Sequence, residues 1–404
     1  MLGIALLAAQ LAAAQAATAA QDPTIVIARQ QPLIETPLEA LVQDGIQYAR
    51  LYPIPLIEAV RRLVAQEASV PQTDALIRRY QPRFAGLVLE HVPVFRFVML
   101  LTGDEPVPDT VITAGGLTIP IVFRTGAPAT RDQILTVIAA HQAEIRAALP
   151  RPMGLAFNPR TGRLLVMLRK SDLDKEGEAA TAQRLQAIAG VPLELHYWSA
   201  ADRNTAAEGG GRIIARNREG KHFLCTSGFV VTNGTQTAIT TAAHCPDTLA
   251  YIEADKSEVP LTLIGAWGER YQDVQIHSAP AALEPLFHAD SKDSARLVTG
   301  WRNRESTRAG DIVCHRGEKT GYSCAEIAYV DYAPPGDLCA GPCMATWVAV
   351  KGPSCKNGDS GGPVFLGTVA FGLVKADSVT DGVCKLYYYM STDYLPPGWT
   401  VAHR

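Results

Sequence analysis

All eight cysteines of this 404-residue chain lie at or after Cys225, and none precedes it. An even count confined to one half reads as a disulfide framework for that half and places it in an oxidising compartment. The residues concerned are Cys225, Cys245, Cys314, Cys324, Cys339, Cys343, Cys355 and Cys384. A zinc site competes poorly: there is no CxxC pair, and Cys339-Ala-Gly-Pro-Cys343 is a lone match. The first twenty residues carry no charge, are rich in Leu and Ala, and contain the small-x-small pattern Ala17-Thr18-Ala19. Residues 1–20 are therefore expected to be a signal peptide, although no Lys or Arg opens the run. No later apolar run is long enough to span a bilayer. With Lys+Arg 37 against Asp+Glu 40, no basic stripe forms, which argues against a nucleic-acid partner.

The cysteine-free half shows helical periodicity from about residue 36, clearest over Ile54–Val64, with a second short helix from Thr73 to Tyr80. Gly86–Glu90 and Phe95–Leu100 read as strands joined by a turn at Pro93. A strand at Ile119–Phe123, a helix from about Arg131 to Leu149, strands at Gly154–Phe157 and Arg163–Leu168, a helix from about Glu176 to Ala189 and a strand at Pro192–Tyr197 follow. That order is the split βαβ of a ferredoxin-like α+β domain. No nucleophile with a base, metal cluster or phosphate loop is visible in this half. Residues 21–110 and 111–200 are thus expected to be two parts of a structural or regulatory region.

Residues 201–211, with Gly209-Gly210-Gly211, read as a cleavable linker. Residues 212–404 show short strands and no long helix, which fits a β-barrel domain. Three elements in this half could carry chemistry together. They are Thr241-Ala242-Ala243-His244-Cys245, Asp273 at the start of Val274-Gln275-Ile276, and Gly358-Asp359-Ser360-Gly361-Gly362-Pro363. A serine hydroxyl needs a base within hydrogen-bond reach, and the base needs an orienting group. His244 can take the proton from Ser360, and Asp273 can fix the imidazole tautomer. The backbone N–H groups of Gly358 and Ser360 can form an oxyanion hole. This chemistry needs no metal or other cofactor.

With those residues in hand, the sequence resembles the chymotrypsin-like serine proteases, in particular the bacterial branch of streptogrisins and α-lytic protease. TAAHC at 241–245, GDSGGP at 358–363, the hairpin Val313–Cys324 and Gly367–Leu373 carry the resemblance over roughly residues 210–395. It implies a double six-stranded barrel and a secreted bacterial serine endopeptidase acting on polypeptides through a His-Asp-Ser triad. It also implies disulfides Cys225–Cys245, Cys314–Cys324 and Cys355–Cys384, which leaves Cys339 and Cys343 for each other. Phe84–His91 and Asn158–Val166 resemble pro-region segments of that branch. The first half would then be a folding assistant and inhibitor, the protein a zymogen, and its own pro-region a partner.

The specificity pocket departs from the family pattern. Ser354, Asn357, Lys375 and Asp377 are its expected lining, and Lys375-Ala376-Asp377 stands where the family carries a serine followed by a substrate-pairing strand. Lys375 is expected to attract an acidic substrate side chain, Asp377 a basic one, or the two to neutralise each other. Arg212-Ile213-Ile214 looks like a trypsin-type activation site but lies too close to Cys225, so Arg316 or His315 is expected to partner Asp359 instead. The alternatives to a protease of general peptides are a non-catalytic binding protein on the same fold and a cell-wall peptide endopeptidase.

Overall fold

The computed structural model describes residues 33–404 except 151–153, 170–172, 174–176, 199–201, 205–210, 218, 254–255, 291–293, 335, 353 and 381–382. The expected signal peptide and most of the expected linker lie outside the described residues. Thr36 caps the first helix: its hydroxyl accepts from the Glu39 N–H, and the Glu39 carboxylate accepts in return, with Pro37 at the first helical position. After strand β1 (Leu33–Glu35) come helices α1 (Pro37–Leu51), α2 (Leu56–Ala68) and α3 (Val70–Tyr80). The periodicity that begins at Ile54 becomes a helix only at Leu56, because Pro55 fixes an extended entry.

Strands β2 (Phe84–Glu90), β3 (Arg96–Thr102), β4 (Thr110–Ala114) and β5 (Leu117–Ala127) form a sheet in the order β2-β3-β5-β4, on which α2 and α3 bury Ala65, Leu76 and Ile77. Helix α4 (Arg131–Ala147), strands β6 (Gly154–Asn158) and β7 (Arg163–Arg169), helix α5 (Gly177–Ala189) and strand β8 (Leu193–Trp198) form the next unit. Ile134, Ile138, Ile145 and Leu185 of its helices cover the β6-β7-β8 sheet. The α+β character of the first half holds, but its strand order departs from the ferredoxin-like expectation. Strand β4, which sequence reading missed, turns back through Gly115-Gly116 and pairs with β5, and β5 pairs in parallel with β3. Both edges of β5 are thereby used, and it does not join β6-β7-β8. The free edge of β6 is instead filled from the second half.

That half begins with β9 (Asp202–Asn204), followed by β10 (Arg212–Arg216), β11 (His222–Thr226), β12 (Val230–Thr232), β13 (Thr237–Thr241), β14 (Thr248–Ile252), β15 (Glu258–Trp267) and β16 (Val274–Ser278). These last seven form an antiparallel sheet in the order β11-β10-β14-β15-β16-β13-β12. Because β11 and β12 are consecutive pieces of one stretch of chain, the two ends of the sheet meet and a barrel closes. Short strands β17 (Leu286–Phe287), β18 (Ser294–Leu297) and β19 (Gly300–Trp301) lead to the second barrel. It is built from β20 (Ile312–Gly317), β21 (Gly321–Ala333), β22 (Trp347–Lys351), β23 (Pro363–Leu366), β24 (Val369–Thr380) and β25 (Val383–Ser391). Its pairing runs β20-β23-β24-β25-β22-β21 and returns from β21 to β20, a closed ring of six. Strand β26 (Thr400–Val401) then adds to β12 of the first barrel. No α-helix follows Ala189 among the described residues, as the sequence suggests.

The first half grips the second barrel through several contacts. Strand β21 continues into β6 through the pairs Tyr332–Ala156 and Ala333–Leu155. Helix α1 lies on β21, where the buried Asp44 accepts from the Tyr322 hydroxyl and from Arg296 at 3.0 Å. The end of β2 meets the loop before β20, with the Leu89 N–H donating to Ala309 O. The four disulfides are Cys225–Cys245, Cys314–Cys324, Cys339–Cys343 and Cys355–Cys384, all in the second half. No described helix is long and apolar enough to cross a membrane.

Candidate active site

His244 sits in the loop after β13 and Asp273 immediately before β16, so both belong to the first barrel. Ser360 precedes β23 of the second. His244 Nδ1 is 2.8 Å from Asp273 Oδ2, and the His244 backbone N–H donates to Asp273 Oδ1 at 3.1 Å. On the other side of the ring, Nε2 lies 2.9 Å from Ser360 Oγ. The Asp273 carboxyl is 2 % exposed. Burial pushes its pKa up, but His244 and Lys375 beside it hold it down at about 2. As a carboxylate it can only accept, so Nδ1 carries the proton and Nε2 is left to accept from the serine hydroxyl.

Residues that sequence reading did not single out hold this arrangement in place. Gln275 Nε2 donates to Ala242 O and Cys245 O, fixing the loop that carries His244. Thr226 Oγ1 donates to Gly358 O, and Gly358 takes φ +135°, a conformation open to glycine but costly for side chains with a Cβ. These supports come from β11 and β16, and nothing in their local sequence marks them.

Asp359 is not partnered as expected. Its carboxylate accepts from the Thr320 hydroxyl at 2.7 Å, the Thr320 N–H and the Lys356 N–H. Arg316 turns instead to Asp290 O at 2.7 Å. His315 is buried, which lowers its pKa, and faces Thr320 and Ser323. The tight turn between β20 and β21 brings Thr320 to the carboxylate, and three neutral donors replace a cation there. Ile213 is buried within β10 between β11 and β14, and is not a partner of Asp359.

The four expected pocket residues differ in their surroundings. Asn357 is exposed, Ser354 shares a hydrogen bond with Ser323 Oγ at 2.9 Å, and Asp377 is buried in β24. Lys375 is turned inward. It falls at an irregularity in the pairing of β24 with β25, between Val374 and Ala376, and such bulges re-aim side chains. Its Nζ lies 3.3 Å from Asp273 Oδ2 and 4.9 Å from the centre of the Trp347 ring, and the residue is 1 % exposed. A cation taken out of water needs a buried anion, and Asp273 provides one. Lys375 therefore does not face substrate or Asp377 as the sequence suggests.

Along the same strand, Ala376, Asp377 and Ser378 pair antiparallel with Asn204, Arg203 and Asp202 of β9. A segment of the chain itself thus lies on the strand that the resemblance assigns to substrate backbone.

Two closed antiparallel barrels, with His and Asp on one and Ser on the other, define the architecture of the second half. It is the chymotrypsin-like fold. Among solved structures, a glutamic-acid-specific serine protease described as using a histidine triad in substrate binding is 23 % identical over 48 % of this chain and 100 % of its own, with a TM-score of 0.40. Thermobifida fusca Protease A is 22 % identical over 49 % of this chain and 98 % of its own, at 0.39. Nocardiopsis protease is 20 % identical over 46 % and 91 %, at 0.35. No protein-family model matches the sequence, and no curated protein matches it significantly.

Proposed function

We propose that the protein is a serine endopeptidase, made as a zymogen, that hydrolyses peptide bonds through an acyl-enzyme. The observation that carries this reading is the unbroken hydrogen-bond chain from Asp273 through His244 to Ser360. Ser360 Oγ adds to the scissile carbonyl carbon while its proton passes to His244 Nε2. The carbonyl oxygen becomes an oxyanion, stabilised by the N–H groups of Gly358 and Ser360. The tetrahedral adduct collapses as His244 returns the proton to the leaving amine, which departs and leaves the acyl-serine. Water, deprotonated by the same imidazole, then releases the carboxylic acid and restores Ser360. Asp273 stays ionised throughout and stabilises the imidazolium. Labelling with a serine-directed phosphonate tests the reading. In the processed enzyme, covalent modification at Ser360, lost on His244→Ala, is the expected result; an unlabelled, folded and processed protein would leave only a binding role for this fold.

The zymogen reading is supported by β9. Being antiparallel to β24, it runs from Ser378 towards Lys375, whose carbonyl oxygen is 3.4 Å from Ser360 Oγ. Strand β9 is therefore aligned with its Asn204 end towards the nucleophile, in the manner of a peptide added to a sheet edge. We place the maturation cut just after Asn204, within the linker, and infer that the uncut chain blocks its own substrate strand. A secreted, extracellular or periplasmic enzyme with disulfides fits this scheme. The N-terminal sequence of the matured fragment locates the cut, and a start upstream of Asp202 would refute the placement.

A further inference from the structure

Where the resemblance calls for a serine hydroxyl beside the triad aspartate, this chain buries an ammonium group. We propose that Lys375 is a positioning residue that holds Asp273 in place and, through its charge, extends the activity of His244 to more acidic conditions. The inference rests on the proposed roles of Ser360 and His244.

Three observations carry it. Lys375 Nζ reaches Asp273 Oδ2, the same oxygen that accepts from His244 Nδ1. With steps of 3.3 Å and 2.8 Å, the ammonium and the ring nitrogen lie within about 6 Å of each other. The Trp347 ring, itself fully buried, covers the ammonium and shields it from solvent. Screening by water is therefore weak, and the three groups form one charge cluster.

The consequences follow from the charges. Before the serine proton is transferred, Lys375 is the cation that offsets the buried Asp273 carboxylate. When His244 accepts the serine proton, the cluster carries two cations and one anion. Lys375 thus opposes formation of the imidazolium beside Asp273. The other titratable side chains on the packed elements are Asp377 on β24, Lys385, Tyr387, Tyr388 and Tyr389 on β25, Asp393 and Tyr394 after it, His277 on β16, Lys351 on β22, Asp359 beside Ser360, and Glu269, Arg270 and Tyr271 in the loop before Asp273. Of these, Tyr387 and Tyr389 are kept neutral by burial. The groups that dominate at Asp273 are His244 and Lys375.

The test is the titration of the His244 ring by NMR in the full chain carrying Ser360→Ala, with the signal assigned by its loss in His244→Gln. Adding Lys375→Met should raise the midpoint by about one pH unit, a tenfold gain in proton affinity, because a nearby cation is gone. Lys375→Arg should leave it within a few tenths of a unit. In otherwise wild-type enzyme, the acid limb of kcat/KM should move by the same amount while KM changes less than about twofold. An unshifted midpoint in a folded Lys375→Met chain would reduce Lys375 to a packing role. Should that variant not fold, the Lys375 ammonium signal in the Ser360→Ala chain, assigned by its loss in Lys375→Arg, decides the matter. It should shift with the His244 titration, and indifference to it overturns the proposal. Neither readout needs proteolysis, so failure here is distinct from failure of phosphonate labelling.

Discussion

A serine hydroxyl, an imidazole and a carboxylate are ordinary groups until burial and contact couple them, and single substitutions should show that coupling. Ser360→Ala is expected to lower kcat by ~10⁶-fold without unfolding the chain, since only one oxygen at a buried position is lost. Asp273→Asn should cost ~10⁴-fold, because the amide can donate to the ring and favour the wrong tautomer. Rates of the two variants on a peptide substrate check both values. The Asp273 carboxyl also links stability to pH. Its folded-state pKa, about 2, lies below the ordinary 3.8, so its contribution is present above about pH 4 and is lost as pH falls towards 2. In urea unfolding of the Ser360→Ala chain, Asp273→Asn should therefore be most destabilising near neutrality, and the gap should close in acid. A gap independent of pH would show that the charge contributes nothing.

The elements that join the two halves depend on buried polar side chains as much as on apolar surface. His91 follows β2 and is 4 % exposed. Its Nε2–H donates to Gly310 O at 2.6 Å, and its Nδ1 accepts from the Tyr48 hydroxyl at 2.7 Å. The neutral ring is thus fully satisfied, and burial lowers its pKa to about 4. A second proton would face the hydroxyl that now donates. The unfolded chain binds protons more readily between about pH 6.5 and 4, so stability should fall as pH drops through that window. The melting temperature of the uncut Ser360→Ala chain should fall across this range, and His91→Gln should flatten the dependence. An unchanged slope in His91→Gln would assign it to other groups.

Across the whole molecule, the second half reads as a domain shaped around the first. Arg296 is fully buried, and its guanidinium donates to Glu35, Gln43 and Asp44 of the first half, with Gly367 O as its partner in the second. Arg308 likewise donates to Gln66 O, Ser69 and Thr73, and Arg302 to Glu67. Breaking such a pair from one side leaves a buried charge, so Asp44→Ala should destabilise the uncut chain by ~3–5 kcal/mol in denaturant melts. The barrels close through pairings distant in sequence, which makes folding slow. Residues 212–404 expressed alone should refold poorly, and adding the first half in trans should restore activity. In secreted material, Ser360→Ala should persist as an uncut chain if the enzyme cuts itself; normal processing of that variant, read by mass spectrometry, would assign the cut to another protease.

What the sequence alone determined is what local pattern and order can encode. Helical and alternating periods marked nearly every long element of the first half, the cysteine distribution divided the chain, and the order of His244, Asp273 and Ser360 on a strand-rich half pointed to one site and one fold. The tertiary structure decided where side chains and strand edges find partners. The β4–β5 hairpin withdrew β5 from the expected sheet, and β6 took β21 instead. Asp359 took the Thr320 hydroxyl rather than a cation, and Lys375 turned from the expected pocket to Asp273. Segment 202–204 came to lie on β24. Each outcome depends on a competition between alternative edges or counter-charges far apart along the chain. Closing the barrels resolved that competition, and neither residue spacing nor period records it.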